Sequence, residues 1–188
     1  MAIAFVIVCL FAKTEIVIHS SARADDPAKA RAAFKDASKV FFSPRCVNCH
    51  PAGDTPLIGD SSKQHEQGVK RGPDGKGVPG LECNTCHQEE NLDGESLPPG
   101  APNWQMPPAA TKMSFQNVTL KQLCTQLKDP SQNGGKKTPK DAIHHIKTDG
   151  RVHWAWAPGG GRTTPPMGFD EFVKKMNEWV NNGAACPE

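Results

Sequence analysis

Cys46-Val47-Asn48-Cys49-His50 and Cys83-Asn84-Thr85-Cys86-His87 repeat one arrangement, two cysteines three apart with a histidine directly after the second. On a helical turn such cysteines point to the same side. That spacing suits covalent haem attachment. Each thiol adds to one haem vinyl as a thioether, and the following histidine supplies an axial nitrogen to the iron. A zinc site or a thioredoxin-like redox pair would use the same cysteines. The thioredoxin motif wants a βαβ context that the sequence lacks, and zinc does not require a histidine after both pairs. The motifs, 37 positions apart, therefore predict two covalently bound haem c groups. Cys46, Cys49, Cys83 and Cys86 are the expected thioether residues, and His50 and His87 the proximal iron ligands of a metal-binding chain.

The opposite side of each iron decides the redox potential and whether the protein carries electrons or reacts with a substrate. The candidates are His65, His144, His145, His153, Met106, Met113, Met167 and Met176. Met176 falls on a helical apolar stripe and reads as core. Met167 and Met106 sit in proline-rich loops, a setting that often presents a methionine to haem. Met113 lies between such a loop and a helix. His65 follows His50 by 15 residues across a loop long enough to fold back over a haem. His144 and His145 point about 100° apart on one helix, so one can face a haem and the other solvent. Arg71, Arg151 and Arg162 are candidates to pair with haem propionates.

These residues need a frame, and the composition limits it. Of 188 residues 37% are hydrophobic, with 17 glycines, 17 prolines and no tyrosine. That is little material for a conventional core, and apolar haem discs would replace part of it. Four helices are predicted. Ala28 to Phe42 repeats Ala30, Phe34, Ala37 and Phe41 at helical spacing. Thr119 with Gln122 marks a capping box. Thr138-Pro139 starts a third helix, which carries His144 and His145. Phe169 to Asn182 has the stripe Phe172, Met176 and Trp179, with Gly183 as a stop. The stretch 51–80 reads as loop. The expected fold is mostly α with long irregular loops and few or no strands, a compact dihaem unit with two haem-bearing lobes over residues 25–188.

Ala2 to Ala12 is apolar and Ala22-Arg23-Ala24 offers a cleavage site, so residues 1–24 read as an irregular secretion signal. Lys13 and Glu15 interrupt it, and no basic residue precedes it. Export and haem attachment agree on a periplasmic location without a membrane span in the mature chain. The net charge of +2 falls to about +1 once Lys13, Arg23 and Glu15 are removed. No basic stripe suggests nucleic acid. Cys124 and Cys186 remain after the haem cysteines are assigned, and in an oxidising compartment they are expected to form a disulfide.

A longer string runs from about Arg45 to Pro187. It includes Cys46–Asp54, Gly59-Asp60, His65, Val69–Gly72, Cys83–His87, Asn91, Gly100–Trp104, Met113, Leu123-Cys124 and Lys128–Pro130. It continues through Asn133–Gly135, His145, Asp149, Trp154–Trp156, Pro158-Gly159 and Gly183–Pro187. The string resembles a family of small dihaem c-type proteins often labelled "isoquinoline 1-oxidoreductase subunit". The resemblance places His65, Met113, His145, Cys124 and Cys186 in the family pattern and does not favour Met167. It implies His65 as distal ligand of the first haem and His145 of the second, with Met113 as the rival at either iron. It also implies electron transfer from a periplasmic dehydrogenase, such as a molybdenum hydroxylase, to a terminal acceptor. The expected role is thus an electron carrier or redox subunit. The alternative is a dihaem enzyme, a peroxidase or sulfur-compound oxidoreductase, with one open distal site.

Overall fold

The computed structural model describes residues 25–188. The expected secretion signal lies outside the described residues. Helices dominate, as expected. They are α1 (Pro27–Phe41), α2 (Pro44–Val47), α3 (Leu120–Lys128), α4 (Pro139–Thr148), α5 (Gly150–Trp154) and α6 (Phe169–Asn181). None of the described helices is long and apolar enough to cross a membrane.

Local chemistry sets the helix starts. Asp26 accepts from Lys29 N at the head of α1, where Pro27 occupies the first turn without an N–H to satisfy. Thr119 and Gln122 close a reciprocal capping box on α3, and Thr138 and Asp141 close another on α4. Asp149 ends α4 and caps α5 by accepting from Arg151 N. The sequence pattern did not separate α5, because one aspartate both stops one helix and starts the next.

The core forms where α1 packs along α6. Phe34 meets Trp179 at 4.9 Å between ring centroids, and Phe41 meets Phe172 edge-on at 5.2 Å. Leu123 and Cys124 of α3 and Ile143 and Ile146 of α4 join the same core. The expected disulfide is present. Cys124 and Cys186 bond at 2.11 Å and tie the C-terminal tail to α3. Nearby, Lys128 Nζ donates to Ala184 O and Trp179 Nε1 to Ala185 O.

The stretch read as loop and the two residues after it contain two small antiparallel hairpins. Strand β1 (Leu57–Ile58) pairs with β2 (Lys63–Gln64), and β3 (Gly77–Val78) with β4 (Leu81–Glu82). Two residues per strand are too few to leave an alternating pattern, so periodicity could not reveal them.

Candidate functional site

Both motifs fold as a single turn. His50 N donates to Cys46 O at 3.1 Å, and His87 N donates to Cys83 O at 3.0 Å. The first motif begins on α2 and the second on a 3-10 turn, Cys83–Thr85. The same i to i+4 bond therefore closes each cysteine pair over its histidine.

The two histidines also share an outer contact. His50 Nδ1 lies 3.0 Å from Met113 O, and His87 Nδ1 lies 2.6 Å from Pro99 O. A carbonyl only accepts, so Nδ1 carries the proton in both rings. That leaves each Nε2 with its lone pair, the form needed by a metal-ligating imidazole. Ring stacking holds the orientation. Phe115 stacks on His50 at 4.1 Å and Trp104 on His87 at 4.7 Å. Burial pulls the His50 pKa down to about 4, which keeps the ring neutral.

A cavity of about 320 Å³ opens beside the first motif. Its size falls in the range of cofactor sites. Phe41, Phe115, Ile146, Trp156 and Phe172 form much of its apolar wall, and Cys46, Cys49 and His50 lie along it. Burial pushes the Cys46 thiol up to about 12 and the Cys49 thiol up to about 11, so both are uncharged. His145 lines the same cavity. Its Nδ1 stands 3.5 Å from Asp149 Oδ2, so Nε2 is not the atom that meets the carboxylate. His144, its neighbour on α4, is exposed.

His65 goes elsewhere. Leu57 N donates to Asn48 O and His65 N to Pro56 O, so the β1–β2 hairpin is anchored on the first motif. The His65 ring nevertheless lies 6.3 Å from the His87 ring, at 61°. His65 Nδ1 is buried without a hydrogen-bond partner. The structure thus places the His65 ring by the second motif, while His145 lines the cavity beside the first.

No family model, no curated protein and no solved structure matches this chain.

One expectation is overturned. Among the described residues, no group of three or more His, Cys, Asp or Glu side chains is placed to hold a metal ion. The described residues therefore bind no metal through a cluster of their own side chains, and a zinc site from the cysteine pairs lacks its ligand set.

The remaining candidates separate by contact. Met113 is buried at the cavity, but its carbonyl sits behind His50, on the Nδ1 side. Met106 is buried and also lines the cavity, with its N–H donating to Gly75 O at 2.9 Å. Met167 uses its carbonyl to accept from Trp156 Nε1, and Met176 is core. His153 Nε2 pairs with Lys147 O on the surface. Arg71 is already engaged: its Nε donates to Asp54 and its two terminal nitrogens to Pro107 O and Gly53 O.

Two contributors escaped the sequence reading. Trp104 stacks on His87 and meets Trp154 edge-on at 5.0 Å. Asn91 accepts from Trp154 Nε1 at 2.8 Å and from Gly100 N at 3.1 Å. Both stand in the string that carries the family resemblance, which was the one available signal.

Proposed function

We propose that the chain is an exported dihaem c-type electron-transfer protein of the compact cytochrome kind. The observation that carries this reading is a second histidine near each motif: the His65 ring lies 6.3 Å from the His87 ring, and His145 lines the cavity that His50 lines. Haem iron brings four porphyrin nitrogens and asks only two more of the protein, so such pairs suffice where a bare ion would need a larger cluster. When bound, haem supplies one-electron chemistry at its iron.

The residues present fit that group. Cys46 with Cys49, and Cys83 with Cys86, are spaced to take its vinyls. His50 and His87 are fixed in the tautomer that offers Nε2. Phe115 and Phe172 give the first site an apolar wall. If His65 and His145 each joined a motif histidine at an iron, no position would be left for a substrate, which favours a carrier over a peroxidase-like enzyme. The donor proposed from the family resemblance is a periplasmic dehydrogenase of the molybdenum-hydroxylase type, with a terminal acceptor downstream.

A pyridine haemochrome assay tests the cofactor and is expected to find two c-type haems per chain. Carbon monoxide added to the reduced protein is expected to leave the spectrum unchanged. Strong binding to the wild-type protein would transfer the reading to an enzyme with an open site.

A further inference from the structure

We propose that Arg45 is a built anchor for a carboxylate, and that the carboxylate it takes is a haem propionate. The inference rests on the haem reading above. Arg45 lies on α2 directly before Cys46 and lines the cavity. Its side chain is 1% exposed. One terminal nitrogen reaches Asp60 Oδ1 at 2.5 Å, and the guanidinium stands 5.8 Å from the Trp154 ring centre. The Nε is buried and has no hydrogen-bond partner.

A buried N–H on a permanent cation strongly favours an acceptor, above all an anionic one. The other arginines are already engaged. Arg71 makes three bonds, Arg151 holds Asp149 with two nitrogens, and Arg162 donates to the carbonyls of Leu97, Pro158 and Gly159. Among the described residues, Arg45 is the one arginine with a buried unpartnered nitrogen. The cavity is otherwise cationic as well, since Arg151 and Lys136 line it against the single carboxylate of Asp149. Arg45 also sits on a seam. It lies over Trp154, which edges onto Trp104, which stacks on His87. A carboxylate held at its Nε therefore lies between the two motif sites.

A guanidinium at a propionate favours the reduced, less positive iron. Spectroelectrochemical titration of the haem-loaded protein reads this directly as two one-electron waves. Arg45→Gln is expected to keep two haems and to lower one wave by about tenfold in its reduction equilibrium, ~59 mV, while the other stays in place. Asp60→Asn frees the Arg45 charge from the outer side and is expected to raise the same wave. It also carries the test if Arg45→Gln does not accumulate. Two haems with both waves unmoved in the variants overturn the role of Arg45 and leave the haem reading intact. Wild-type protein with fewer than two haems overturns the haem reading itself.

Discussion

The His65 ring lies 6.3 Å from the His87 ring although the hairpin before it is hydrogen-bonded to the first motif. The chain segment that begins at one candidate haem site thus delivers its histidine to the other. His145 completes the exchange by lining the cavity of His50.

Axial substitutions should act one site at a time. His65→Ala and His145→Ala are each expected to open one iron, so that reduced protein binds about one carbon monoxide per chain. Near-infrared magnetic circular dichroism should lose one bis-histidine signal in each variant. Met113→Ala is expected to keep both signals, since the Met113 carbonyl that orients His50 is backbone. Loss of an axial signal in Met113→Ala, with His145→Ala unchanged, would reverse the assignment.

Gly75 joins the two motif regions. Its carbonyl accepts from Met106 N, and its φ is +88°. A Cβ there would stand 2.0 Å from Met106 O. Gly75→Ala is expected to destabilise by about 2 kcal/mol or more, from strain and the clash together. Urea unfolding measures it, and a change within error would show that the loop re-routes freely.

The disulfide closes a long loop, Cys124 and Cys186 being separated by 62 in sequence. Replacing both with serine is expected to cost ~4 kcal/mol on the chain-entropy account. Denaturant midpoints with and without the bond supply the check. Alkylation of unreduced, denatured, haem-loaded protein should also label none of the six cysteines beyond residue 24.

The Asp54 carboxyl is held below its usual range by the hydrogen bond from Arg71. A depressed folded pKa means stability that is present above the unfolded value of about 3.9 and lost as pH falls through the folded one. Asp54→Asn is expected to be less stable than wild type at pH 6 and to converge with it towards pH 3. The gap should be modest, because Asp54 is 61% exposed. Equal stabilities at pH 6 would show that Arg71 is held by its carbonyl partners alone.

Much of the scaffold was legible locally. Thr119 with Gln122 and Thr138 with Asp141 announce helix starts because caps act over three residues. The stripe Phe172, Met176 and Trp179 announces a buried face because helical spacing fixes which side chains align. The hairpins were illegible, with two residues per strand. The arginines were inseparable in sequence for a different reason. Arg71 and Arg45 look alike in sequence, and only their surroundings show that one has its nitrogens taken and the other has one free.

The sequence by itself determined the two C-x-x-C-H turns, the helical frame and the pairing of the last two cysteines. Each follows from near neighbours along the chain or from simple exclusion. The tertiary structure decided which histidine faces which motif, that Met113 serves His50 through its carbonyl, and that Arg45 keeps a buried donor unpaired. Those outcomes depend on how distant segments cross in space. A ring 15 residues from His50 can come to rest against His87, and spacing along the chain does not encode that crossing.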